Sequence, residues 1–142
     1  ESIEYYLEYE DEFPIIEGKI IGGNLSVLYS ILNSKSDFDW NNHILFLEDL
    51  DEYLYHIDRM MNGLQRATKL QKLKAIVLGG LTDMNDNKVP FGKDAEEIIS
   101  TYAKKNKTPI FYGLPTGHQP LNLPIKLGHE VKIEGGVMVY KD

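Results

Sequence analysis

The chain has no cysteine among its 142 residues, so disulfides, thiolate nucleophiles and thiolate-bound zinc are all excluded, and the redox compartment stays undetermined. No apolar run approaches the roughly 20 residues that a membrane-spanning helix needs, and no membrane partner is expected. Basic residues are outnumbered, 15 lysines and arginines against 22 aspartates and glutamates, for a net charge of −7. No basic cluster interleaves with aromatics to offset the repulsion of a phosphate backbone, so nucleic acid is not an expected partner. Spacings such as His-x-x-x-His are missing, which leaves no argument for a metal site. Internal repeats and low-complexity tracts are absent too. The chain opens at Glu1 without an initiator methionine, which points to an excised segment with any targeting peptide lying outside it.

What remains is the composition of a soluble globular domain, 42% hydrophobic and 26% charged. A single domain of this length buries roughly 68% of the surface its unfolded form exposes. The opening "ESIEYYLEYEDE" is acidic and aromatic without a clean period, and reads as a partly ordered lead-in or an edge strand with solvated carboxylates. "EGKIIGGNLSVLYSILNS" passes from a short apolar strand through Gly22-Gly23-Asn24 into a helix with Leu25, Leu28 and Ile31 or Leu32 on one face.

In "NHILFLEDL" the unbroken apolar run Ile44 to Leu47 predicts a strand covered on both faces. Asp49 followed by Glu52 has the spacing of a capping box, which predicts a helix beginning there. Leu54, Ile57, Met61, Leu64 and Ala67 then mark one apolar stripe over about five turns, with Arg59 and Arg66 off it. "LKAIVLGGL" is a second buried-type strand, "TDMNDNKVPFGKD" a polar loop, and "AEEIISTYAKKN" a helix through Ala95, Ile98, Ile99 and Tyr102. Pro109 opens the strand "IFYGL", and "HEVKIEGGVMVYKD" reads as a hairpin turning at Gly135-Gly136. Strands alternating with crossover helices pair in parallel while the closing hairpin is antiparallel, so the expected fold is a mixed-sheet α/β domain.

Ligands gather at the carboxyl ends of parallel strands, where Glu48, Gly79-Gly80 and the turn holding His118 all fall. Glu48 has two readings, helix cap or chemical group. The capping-box spacing belongs to Asp49, which leaves Glu48 as the spare acid. His118 stands in "PTGHQP", stiffened by Pro115 and Pro120 and given a tight backbone by Gly117. It is a candidate general base or a surface-loop histidine. His43, His56 and His129 read as structural or solvated. The Gly-Gly-Asn turn could hold an anion or serve packing, and Ser26 lacks the Gly-x-Ser-x-Gly setting of a nucleophile.

"GGNLSVLYSIL", "ILFLEDLDEYLYHIDRMMNGL", "AIVLGGLTDM", "PIFYGLPTGH" and "NLPIKLG", in that order, resemble the C-terminal domain of the LD-carboxypeptidase family of serine peptidases. The likeness runs from about Gly18 to Val139, and "EDLDEYLYHIDR" with "P-x-GH" and "N-x-P" is closer to the muramoyltetrapeptide carboxypeptidases than to the microcin self-immunity peptidases. The resemblance implies a swivelling β/β/α type of fold and a Ser-Glu-His triad whose glutamate is Glu48 and whose histidine is His118. It places the nucleophile in an N-terminal domain that nothing here resembles. It further implies removal of terminal D-alanine from murein tetrapeptide, no cofactor or metal, cytoplasmic peptidoglycan recycling and a possible homodimer. Residues 1–17 are then an acidic lead-in or interdomain linker and 18–142 the C-terminal domain. A non-enzymatic small-molecule binding module or a dimerisation domain are the rival expectations.

Overall fold

A computed structural model describes residues 3–142. Its elements are β1 (Glu4–Tyr6), β2 (Ile16–Asn24), α1 (Leu25–Ser30), β3 (Ile44–Leu50), α2 (Leu54–Arg66), β4 (Ala75–Thr82), α3 (Ala95–Lys105), β5 (Ile110–Phe111), β6 (Glu130–Glu134) and β7 (Val137–Tyr140). The strands form one sheet in the order β1-β7-β6-β2-β3-β4-β5. Where a helix intervenes the pairing is parallel, as in β2–β3, β3–β4 and β4–β5. The β6–β7 hairpin pairs antiparallel and continues so into β2 and β1. Its turn takes Gly135 and Gly136 at φ of 56° and 76°, a geometry that other residues adopt at a cost. The mixed α/β sheet expected from the sequence is the one observed.

Central β3 is buried on both faces, which is why its sequence is a continuous apolar run. Leu45 and Leu47 face the helices, meeting Leu25 and Leu28 of α1 and Ile57, Met61 and Leu64 of α2. Ile44 and Phe46 face the other way, into the concavity of the curled sheet with Ile20, Val77 and Val131. Burying each such side chain contributes about 1.5 to 3 kcal/mol, so the two clusters fix which face each β3 residue takes.

The opening segment forms the edge strand β1 and then does more. Tyr5 is buried, donating its hydroxyl to the Pro124 carbonyl at 2.6 Å. Just beyond, Leu7 N donates to Gly136 O on the hairpin, and Glu8 exchanges two backbone hydrogen bonds with Tyr112, next to β5. One short segment thus joins both margins of the sheet and leaves neither edge fully open.

The expected start of α2 is corrected. The helix begins at Leu54 and has 13 residues, about 3.6 turns in place of five, with Tyr53 at its N-cap and no side-chain cap. β3 runs on to Leu50, Asp51 takes a left-handed turn at φ 54°, and Leu54 N finds its partner in Asn85 O at 2.9 Å. A backbone carbonyl has taken the place of the carboxylate cap. The stripe itself is as expected at Ile57, Met61 and Leu64, with Met60 joining it.

Candidate active site

Alternation along β3 carries Glu48 to the concave face with Phe46, and Asp49 to the helical face with Leu47. Opposite Glu48 the ladder to β4 slips: Leu47 pairs with Leu78 and Asp49 with Leu81, so Gly79 and Gly80 together stand against one residue. This is a bulge, and both glycines have a use. A Cβ on Gly79 would lie 2.4 Å from Thr116 O and 2.7 Å from the Phe46 ring. The missing side chains let the segment after β5 come down onto β4, where Gly80 N donates to Thr116 O at 3.0 Å.

That segment closes on itself. Leu123 N donates to Pro115 O at 2.6 Å, the Thr116 hydroxyl to Leu123 O at 2.8 Å, and Gly117 N to the Asn122 side chain at 3.1 Å. Gly117 sits at φ +110°, and a Cβ there would come within 2.9 Å of Glu48 Cβ, so glycine is required on both counts. The result brings Glu48 and His118 together across 70 residues: His118 Nδ1 lies 2.9 Å from Glu48 Oε2. The glutamate side chain is 9% exposed and the imidazole 53%. An ionised carboxylate only accepts, so a neutral imidazole facing it carries its hydrogen on Nδ1 and keeps a lone pair on Nε2. A buried carboxylate thus holds a half-exposed imidazole.

Asp49 does not cap α2, as the spacing suggested; it braces the start of α1. Asn24 is the N-cap of that helix, accepting from Val27 N at 3.1 Å. Asp49 Oδ2 accepts from Ser26 N at 3.0 Å and Ser26 Oγ at 2.6 Å, while Oδ1 accepts from Asn24 Nδ2 and Leu50 N. The signal that separates it from Glu48 is strand alternation, which outranks the spacing to Glu52. Ser26 lies among carboxylates, 2.9 Å from Glu52 Oε1 as well, and Glu52 in turn meets His56 Nδ1 at 2.8 Å. Gly22 serves close packing, since a Cβ there would fall 2.0 Å from Phe46 O. His43 Nδ1 is buried without a partner among the described residues, and His129 is exposed beside the Tyr140 ring. Among the described residues no three acids or histidines converge to hold a metal ion.

A cavity of about 550 Å³ lies elsewhere, between Glu8, Tyr112 and the first turns of α3. There burial, with Asp94 and Glu8 nearby, pushes the Glu96 carboxyl above its ordinary range. Neither Glu48 nor His118 lines it.

Residues 17–133 match the LD-carboxypeptidase C-terminal domain. The chain is 31% identical over 112 residues to the probable murein peptide carboxypeptidase of Bacillus subtilis (strain 168), a match covering 79% of this chain and 35% of that protein. It is 29% identical over 126 residues to the microcin C7 self-immunity protein MccF of Escherichia coli, covering 84% and 34%. The crystal structure of muramoyltetrapeptide carboxypeptidase from Oxalobacter formigenes aligns with a TM-score of 0.85 at 26% identity, over 100% of this chain and 50% of that one. The chain therefore spans about a third of the length of these curated relatives. A match across most of its residues, on the same curled mixed sheet, establishes that the chain belongs to the LD-carboxypeptidase family and matches that family's C-terminal domain.

Proposed function

We propose that Glu48 and His118 are the acid and the base of a Ser-Glu-His triad, in a serine-type LD-carboxypeptidase that removes terminal D-alanine from murein tetrapeptide. The observation that carries the reading is the 2.9 Å contact between a buried carboxylate and a half-exposed imidazole, at the carboxyl ends of parallel strands. The serine comes from a separate nucleophile domain of the same parent chain; residues 18–142 are the C-terminal domain, and the lead-in within residues 1–17 packs onto its sheet as β1. The half-exposed imidazole leaves room for a group from another domain to reach it, as a half-site completed elsewhere would.

In this reading His118 Nε2 takes the serine proton as the hydroxyl attacks the carbonyl, and later returns it to the amine of the departing D-alanine. Glu48 fixes the tautomer and stabilises the imidazolium between those steps. Cytoplasmic cell-wall recycling and a homodimer belong to the same proposal. The test is D-alanine release from an LD-tetrapeptide by the parent protein carrying the serine domain. Glu48→Gln and His118→Ala should each lower turnover by about 10³ to 10⁴, and the 142-residue chain alone should release none. Normal turnover in either folded variant refutes the assignment.

A further inference from the structure

β5 gives the sheet only Ile110 and Phe111, yet the chain beyond it keeps returning to β4. Leu114 N donates to Leu78 O at 3.0 Å, Gly80 N to Thr116 O at 3.0 Å, and the Thr82 hydroxyl to the carbonyl of His118 itself. The contacts advance by two residues on both sides, the repeat of a parallel ladder. At the last rung a side chain replaces the backbone, because β4 ends at Thr82 and Asp83 turns away at φ 53°.

A second bracket comes from Gln119. Its Nε2 donates to Leu114 O and Thr116 O, both at 3.0 Å, using both amide hydrogens to fill the bend beneath His118. Its side chain lies against Gly80, where an added Cβ would meet it at 3.3 Å. Other bonds of the turn, Leu123 N to Pro115 O, the Thr116 hydroxyl to Leu123 O, Gly117 N to the Asn122 side chain, Gln119 N to Gly117 O and Thr116 N to Leu114 O, join it to itself. Those bonds would survive if the turn lifted off the sheet; the Thr82 bond would not.

We infer that Thr82 and Gln119 are positioning residues that hold the His118 imidazole in reach of Glu48, an inference that rests on the triad reading above. A displacement near 1 Å at a reacting group costs on the order of 100-fold in rate, so loosening either bracket reads out in turnover before it reads out in substrate binding.

Thr82→Val keeps the shape and removes the donor; Thr82→Ser keeps the donor and removes a methyl. In the parent enzyme, Thr82→Val and Gln119→Ala should lower kcat by about 10- to 100-fold with KM within about threefold, and Thr82→Ser should stay within about twofold of the unaltered enzyme. Crystal structures of this chain supply a readout independent of turnover: the His118–Glu48 contact should open beyond hydrogen-bond range in Thr82→Val and persist in Thr82→Ser. Full kcat in both Thr82→Val and Gln119→Ala, a Thr82→Ser variant as slow as Thr82→Val, or an unmoved His118 in the Thr82→Val crystal overturns the inference. If Glu48→Gln and His118→Ala leave the parent active while the contact still opens in Thr82→Val, the triad reading fails and the bracket stands as geometry alone.

Discussion

Replacing Asp49 with asparagine alters a few atoms, and the structure dictates what they do. Oδ1 receives Asn24 Nδ2 at 3.2 Å and Leu50 N at 2.8 Å, and Oδ2 receives Ser26 N at 3.0 Å and Ser26 Oγ at 2.6 Å. An amide keeps only one acceptor. If its oxygen stays at the Oδ1 site, the new NH₂ points at Ser26, whose hydroxyl can accept it and turn its own hydrogen to Glu52, already 2.9 Å away. Ser26 N–H then faces a donor at a site where Asp49 is 2% exposed. A buried donor without a partner costs about 1 to 3 kcal/mol, and the loss of a charged acceptor adds to it. Relief of repulsion between Asp49 and Glu52 offsets part, less because the Glu52 side chain is 23% exposed and paired with His56. The net expectation is a loss of about 1 to 3 kcal/mol, or roughly 3 to 10 °C in thermal midpoint for a domain of this size. Glu48→Gln should do the reverse: its amide oxygen still accepts from His118, so the midpoint of this chain moves by less than about 3 °C while the parent enzyme loses turnover. Calorimetry on the two variants decides between them. An Asp49→Asn chain that melts with the wild type, beside a Glu48→Gln chain that melts well below it, refutes the placement of the two acids on opposite faces.

Gly117→Ala forces a side chain into φ +110° and against Glu48, so the strain of about 1 to 3 kcal/mol should lower the midpoint and a crystal structure should show His118 displaced from Glu48; an unchanged midpoint with the 2.9 Å contact intact contradicts this. Tyr5→Phe removes a buried hydroxyl that meets Pro124 O at 2.6 Å and Tyr140 OH at 3.0 Å, and denaturant titration should show a loss of about 1 kcal/mol, against no change if the closure at β1 is unimportant. Burial pushes the Asp37 carboxyl up, but the hydrogen bond from Lys69 and the backbone N–H groups of Asn33 and Phe38 outweigh it and hold it below the ordinary range. Its stabilisation is therefore complete above about pH 4 and is lost as pH falls through the lowered value. Trp40, the sole tryptophan, donates to Asp37 Oδ1 at 3.1 Å, so its fluorescence should report that loss, and Lys69→Met should move the acid transition to higher pH. An acid transition that ignores Lys69→Met removes Asp37 from the account.

The spacing Asp-x-x-Glu occurs at Asp49/Glu52 and again at Asp94/Glu97, and only the second is a capping box. A carboxylate binds whichever unpaired N–H lies within reach. At Asp94 that is its own helix, but at Asp49 the start of α1 stands closer across the sheet, and spacing along one chain is blind to that. The helix-linked parallel strands and the closing hairpin were legible because burial on both faces of β3 and the glycine turn of the hairpin are local properties. β1 was ambiguous because Tyr5 and Leu7 give an alternation only two residues long. The meeting of Glu48 and His118 lay beyond any local rule; the family resemblance put them together, and the bulge at Gly79-Gly80 supplies the physical means. Thr82 and Gln119 went unread because a polar residue near a strand end carries no sign of the carbonyl it will serve.

The segment that joins the sheet's two margins also sets an order of events during synthesis. Tyr5 pairs with Met138 and Leu7 N bonds Gly136 O, so residues made early in this domain have partners that are made much later. Until β7 has emerged, Tyr5 and Leu7 have no ladder to join, and the parallel core of β2, β3 and β4 forms without its clasp. Contacts so distant along the chain slow folding and prolong the time that apolar edges stand open. A deletion of the few residues of β7 would thus be felt far back along the chain, as an unfastened β1.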